Sequence, residues 1–170
     1  MYQELINILG KENVFTDEDM SKHTTFKAGG KAKYFVTPDS FERLSELIRF
    51  LKDKIDYYII GNGSNLLVKD EGYNGVIVKI GQKLSNITLD DKVMSCEAGA
   101  YVSKIANYAC ENSLSGLEFA AGIPGMLGGA VAMNAGAYGG EFKDIIISVT
   151  LMDKYGNIVE KSNEEMKLKY

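Results

Sequence analysis

The sequence is poor in the residues that carry metal, redox and nucleic-acid chemistry. Its 170 residues include one histidine, two cysteines and two prolines. His23, Cys96 and Cys110 stand far apart with no CxxC pair, which argues against a structural zinc site. Two isolated cysteines read most simply as free thiols in a reducing cytoplasm. No basic block or stripe interrupts a chain of net charge −4, so nucleic acid is not an expected partner. The N-terminal MYQELINILGKEN lacks a basic segment followed by an apolar run, so no secretory leader is expected. One uncharged run is nominally long enough to cross a bilayer, Phe119 to Gly140. Pro124 and seven glycines interrupt it, so no membrane span is expected.

What the chain does have is an average soluble composition, 45% hydrophobic and 25% charged, enough for one domain or two small lobes. Apolar spacing predicts a helix over residues 2–9, stopped by Gly10, and then a loop over 13–31. Ala32–Thr37 reads as a strand. Asp39 with Glu42 looks like a capping box for a helix bearing Leu44, Leu47, Ile48 and Leu51 on one face. Tyr57–Ile60 reads as the next strand, completing a βαβ unit with a parallel pair. Further strands are expected at Leu66–Val68 and Val76–Ile80, and a hairpin over Asn86–Leu89 and Val93–Glu97. A helix follows over Val102–Asn112, and another starts at Pro124. Ile145–Met152 and Asn157–Glu160 read as antiparallel strands. Ser162 with Glu165 then caps a short helix. The composite is α+β and two-lobed: residues 1–79 form a small βαβ lobe, and residues 80–170 a larger, mostly antiparallel one.

Two glycine-dense stretches stand out. Gly61-Asn62-Gly63-Ser64-Asn65-Leu66 follows an apolar strand, where α/β proteins often bind ligands. Its backbone N–H groups could cradle phosphate oxygens, or the loop could be an ordinary tight turn. It is neither a Rossmann fingerprint nor a P-loop. The second stretch, Gly116–Gly140, holds eight of the eighteen glycines and one charge, Glu118. Such density implies positive φ or close backbone approach. Gly125 and Gly129, four apart, suit helix packing as well as a ligand. Together the stretches suggest an extended, phosphate-bearing cofactor held by both lobes.

HTTFKAGG (His23–Gly30), GNGSNLLV (Gly61–Val68), GLEFAAGIPGMLGGAVAMNAGAYGGE (Gly116–Glu141) and SNEEMKLKY (Ser162–Tyr170) resemble, in order and spacing, the UDP-N-acetylenolpyruvoylglucosamine reductase family (MurB). These are flavoenzymes of peptidoglycan synthesis, with an FAD-binding domain of the PCMH, or vanillyl-alcohol-oxidase, type. The resemblance implies non-covalent FAD. It places Gly61, Asn62, Gly63, Ser64, Asn65 and Leu66 around its diphosphate. Ala98, Gly99, Gly122, Ile123, Pro124, Gly125, Gly128, Gly129, Met133, Asn134 and Gly136 would line the rest. It further implies NADPH as reductant and a UDP-sugar enolpyruvyl ether as substrate. The family pattern continues past Tyr170 with an Arg, then a Ser or Cys proton donor and a late Glu. Tyr170 would thus lie at the edge of an incomplete catalytic site, and the 170-residue chain is expected not to turn over alone. The alternatives are a non-catalytic flavin or nucleotide module, or another FAD-linked oxidase of the same fold.

Other polar residues have two readings each. His23 could be a general base or a hydrogen-bonded loop histidine, the latter favoured. Glu118 is expected to accept backbone N–H bonds that hold its loop. Tyr34, Tyr57, Tyr58, Tyr101, Tyr108 and Tyr138 could stack on a flavin, but aromatics fill cores by default.

Overall fold

The computed structural model describes residues 1–169; Tyr170, expected at the edge of a catalytic site, lies outside the described residues. The chain divides into two compact units, residues 1–83 with 152–157, and residues 84–151 with 158–170.

The first unit is built on a four-stranded sheet. Helix α1 (Tyr2–Leu9) ends at Gly10, whose φ of 85° suits glycine, and it buries Leu5 and Leu9. Strand β1 (Val14–Asp19) runs antiparallel to β2 (Lys31–Val36). The expected loop over 13–31 therefore contains a strand. The run Asp17-Glu18-Asp19 hid it, because charges suit a solvated sheet edge and break the apolar alternation. Helix α2 (Phe41–Leu51) buries Leu44, Leu47, Ile48 and Leu51, as its spacing predicts. Its N-cap is Ser40, whose Oγ accepts the Arg43 N–H at 3.2 Å. The cap thus sits one residue later than Asp39, whose carboxylate instead pairs with Arg43 at 2.9 Å.

Strands β3 (Tyr57–Ile60) and β4 (Tyr73–Lys79) complete the sheet in the order β1-β2-β4-β3. Strand β4 runs parallel to both β2 and β3, so the expected parallel pair is separated by a strand inserted between its members. Parallel neighbours need a crossover, usually a helix. Here residues 61–72 make the crossover without one. Leu66 and Val68 are not a strand, although their alternation with exposed Leu67 imitates one. They pack on the sheet cluster of Met20, Ala32, Phe35, Ile60 and Ile77. The turn Met152–Asn157 also belongs to this unit. Ser45 Oγ donates to the Gly156 carbonyl at 2.7 Å, and Arg49 Nε to the Tyr155 carbonyl at 3.2 Å.

The second unit holds short two-stranded ribbons and small helices. Strands β5 (Ile87–Asp90) and β6 (Val93–Cys96) form the expected hairpin, turning at Asp91 with φ 51°. Helix α3 (Val102–Glu111) follows as predicted. Helix α4 spans Leu127–Ala132, not a run from Pro124, because the bridge between Tyr101 and Met126 holds the preceding residues extended. Strands β7 (Gly136–Ala137) and β8 (Gly140–Glu141) form a second antiparallel ribbon. A 3₁₀ turn at Phe142–Asp144 delays β9 to Ser148–Met152, which pairs with β10 (Ile158–Ser162). Helix α5 (Asn163–Met166) carries the predicted Ser162–Glu165 capping box. The core gathers Val102, Ala120, Ala130, Val131 and Phe142. Among the described residues no helix is long and apolar enough to cross a membrane.

Candidate functional site

In the first unit the loop Gly61–Leu66 leaves the end of β3 and lies on the His23–Thr25 segment. Thr25 N–H donates to the Gly63 carbonyl at 3.2 Å, and Thr25 Oγ1 to the Ser64 carbonyl at 3.4 Å. Gly63 is buried with φ +65°, and a Cβ there would collide with the His23 carbonyl oxygen. Its glycine is therefore explained by chain packing alone. Gly30 has the same explanation: a Cβ would strike the Asp70 carbonyl oxygen. The HTTFKAGG and GNGSNLLV motifs are thus two halves of one backbone-packed structure. Gly61, Asn62 and Ser64 are half-buried and Asn65 is exposed, so the outer side of the loop is accessible.

His23 is fully placed by its neighbours. Its ring stacks on Phe35 with centroids 4.1 Å apart. Nε2 lies 3.0 Å from Glu18 Oε1, and Nδ1 lies 3.4 Å from Lys79 Nζ. If Lys79 donates to Nδ1, the proton of a neutral ring sits on Nε2 and is given to Glu18. This is the hydrogen-bonded loop histidine favoured on sequence grounds. Burial holds the Lys79 ammonium below its usual pKa.

In the second unit the structure brings Ala98 and Gly99 together with Gly125 and Gly128. Gly128 N–H donates to the Ala98 carbonyl at 2.8 Å, Leu127 N–H to Ala100 at 2.8 Å, and Val102 N–H to Gly125 at 3.1 Å. A Cβ on Gly128 would lie 2.9 Å from that of Ala98, so this glycine serves close packing. Gly125 has a φ of 130°, which favours glycine. On Gly136 a Cβ would lie 2.6 Å from the Gly140 carbonyl oxygen, so β7–β8 pairing explains it.

Gly122 and Gly129 are different. Both are exposed, neither has positive φ, and an added Cβ meets nothing within 4 Å. Glycine inside α4 costs about 1 kcal/mol relative to alanine, and no internal contact at Gly129 offsets it. These two positions fit the close approach of an external flat group to backbone.

Asn134 is wholly buried with φ 46°. Its Nδ2 donates to Glu141 Oε2 at 2.6 Å, and its Oδ1 accepts the Lys143 N–H at 2.9 Å. The side chain shapes the turn after α4, and the backbone N–H donates to the Val131 carbonyl at 3.0 Å. Lys143 and Asn134, in that order, hold the Glu141 carboxyl below the ordinary range. Ile123 packs against the core, Met133 is 40% exposed, and Pro124 is exposed. Glu118 accepts the Gly116 N–H at 2.8 Å, the loop-holding role expected of it. Tyr138 stands 98% exposed at φ 52° on the β7–β8 turn. Cys96 and Cys110 are free, and burial pushes the Cys96 thiol up to about 11. Sequence reasoning missed Glu18, Lys79 and Lys83 around His23, since only the folded sheet joins them. It also missed Glu141 and Lys143, which their spacing from Asn134 could have suggested.

The sequence pattern of a family described as an FAD binding domain matches residues 32–162. UDP-N-acetylenolpyruvoylglucosamine reductase of Clostridioides difficile strain 630 is 47% identical over 171 residues, covering 100% of this chain and 56% of that protein. The Clostridium tetani reductase of the same name is 47% identical over 167 residues, covering 98% and 54%. The chain therefore spans about half the length of these curated relatives. The crystal structure of the Thermus caldophilus reductase, MurB, superimposes with a TM-score of 0.73 at 33% identity, covering 89% of this chain and 52% of that one. p-Cresol methylhydroxylase superimposes with a TM-score of 0.68 at 19% identity, which indicates a shared fold alone.

Proposed function

The chain belongs to the FAD binding domain family, and from that premise we propose that it is the flavin-holding part of a UDP-N-acetylenolpyruvoylglucosamine reductase. The observation that carries the reading is the pair Gly122 and Gly129, glycines that neither φ nor internal packing requires, in a chain that a reductase matches along its whole length. The fold is the α+β FAD-binding type of MurB and the PCMH-like oxidases.

The chemistry FAD would supply here is hydride transfer from NADPH to the enolpyruvyl double bond of a UDP-sugar, in the bacterial cytoplasm. This chain's own residues bind and orient. The outer side of Gly61, Asn62, Ser64, Asn65 and Leu66 offers backbone and amide donors for the diphosphate. Gly63 sets the loop's shape from beneath. Gly122 and Gly129 give clearance for the flavin, flanked by Ile123, Pro124, Met133 and the Ala98–Gly99 backbone. Gly125, Gly128, Asn134 and Gly136 hold that surface in place. NADPH, the UDP-sugar substrate and the proton donor belong to this reading of the complete reaction.

Flavin titration tests it. The chain should bind FAD, and Gly129→Val should weaken binding at least tenfold while leaving far-UV circular dichroism intact. Undiminished affinity in that variant would overturn the assignment of this surface to the flavin.

A further inference from the structure

A pocket of about 410 Å³ in the first unit is unused by the flavin residues assigned above. That volume lies in the range of small-molecule sites, roughly 300–1,000 Å³. Its walls include Phe15, His23, Phe35, Lys79, Gly81 and Lys83. The chemistry is uneven. Phe15 is 43% exposed, so it presents an aromatic surface beside the His23 ring. Gly81 has open space at its Cβ position and no positive φ, so backbone can be approached there too. Lys79 is not in any ion pair among the described residues; its one polar partner is His23. Lys83 Nζ donates to the neutral Asn13 Oδ1 at 2.9 Å. The one lining carboxylate, Glu18, is already engaged by His23 and Lys22. Two lysines without a carboxylate of their own thus line an apolar-walled pocket in a chain of net charge −4. A half-buried cation without a counter-ion is costly, and a bound anion relieves that cost.

We propose that this pocket binds the phosphate-bearing end of a nucleotide, with its base against Phe15 and His23 and its phosphate on Lys79 and Lys83. The group is the monophosphate of a free nucleotide, because both phosphates of FAD are assigned to the Gly61–Leu66 loop. The proposal rests on residues separate from the Gly122–Gly129 surface, so it survives if that flavin assignment fails.

Pyridoxal 5′-phosphate is a smaller probe that also joins an aromatic ring to a phosphate monoester, and its aldehyde reports the lysine. The Lys79 amine adds to the aldehyde carbon, water leaves, and borohydride reduces the C=N bond to a stable secondary amine that mass spectrometry locates. The burial-lowered pKa of Lys79 favours the neutral amine this step needs. Label is expected to concentrate on Lys79 over exposed lysines such as Lys22, and to fall at least fivefold with excess adenosine 5′-monophosphate. Lys79→Arg should lose the label yet keep nucleotide affinity. Lys79→Gln and Phe15→Ser should each weaken that affinity about tenfold. Phe15 is exposed enough for the fold to survive its change. Protection by the monophosphate is expected on FAD-saturated protein as well. Protection by FAD as strong as by the monophosphate overturns the separate site. Label spread evenly over surface lysines, or indifferent to both competitors, overturns the proposal.

Discussion

At the residue scale, glycines that look alike in the sequence act for opposite reasons. Gly63 cannot carry a side chain, because its φ is +65° and the His23 carbonyl sits where Cβ would go. Gly63→Ala should cost about 1–3 kcal/mol of stability in urea unfolding without any FAD present. Gly129→Ala has room and ordinary helical φ, so it should stabilise by about 0.5–1 kcal/mol. Equal effects from the two would mean the packing at His23 is not what fixes Gly63. The distinction was invisible in the sequence, since His23 and Gly63 meet only after β2, α2 and β3 have formed. The cysteines separate by burial in the same way. With Cys96 raised to about 11 and Cys110 exposed, a disulfide reagent at pH 8 should label Cys110 first. The Cys96 thiolate is about a hundredfold scarcer there than for a thiol at the usual value of 9. Equal labelling rates in the folded chain would contradict the burial.

At the scale of elements, apolar periodicity made α1, α2, α3 and the β5–β6 hairpin legible. What it missed was set by partners. Strand β1 was hidden by its charges, and Leu66–Val68 looked like a strand because a crossover lying on a sheet also alternates. The α2 cap was expected at Asp39 with Glu42, and the geometry puts it at Ser40. Ser40→Ala should therefore lower stability by about 1 kcal/mol; an unchanged denaturation midpoint would return the cap to Asp39. The β7–β8 ribbon has a pH signature. The Glu141 carboxyl is held down by Lys143 and Asn134, so its folded pKa lies below the unfolded one. Its stabilisation is then complete above about pH 4.5 and is lost as pH falls through the lowered value. Amide exchange in Gly136–Glu141 should speed up in acid more than the intrinsic rate predicts, and Glu141→Gln should remove that excess.

At the scale of the whole molecule, the α+β class was readable because helical and alternating apolar spacings take turns along the chain. The strand order was not, because inserting β4 between β2 and β3 leaves no mark on local pattern. The FAD-binding family was legible only when the motifs were taken together: either glycine loop alone is also a good turn. The flavin reading therefore has its sharpest test in both stretches at once. FAD at about a hundred times its dissociation constant should stabilise the chain by ~2.7 kcal/mol. Hydrogen exchange should slow in Asn62–Leu66 and in Gly122–Met133 together, because backbone donors and clearances in both are assigned to one cofactor. Slowing confined to Gly122–Met133 would leave Gly61–Leu66 as a turn whose glycines serve only His23 and Thr25. Slowing confined to Gly61–Leu66 would leave Gly129 unexplained and remove the observation on which the flavin assignment rests.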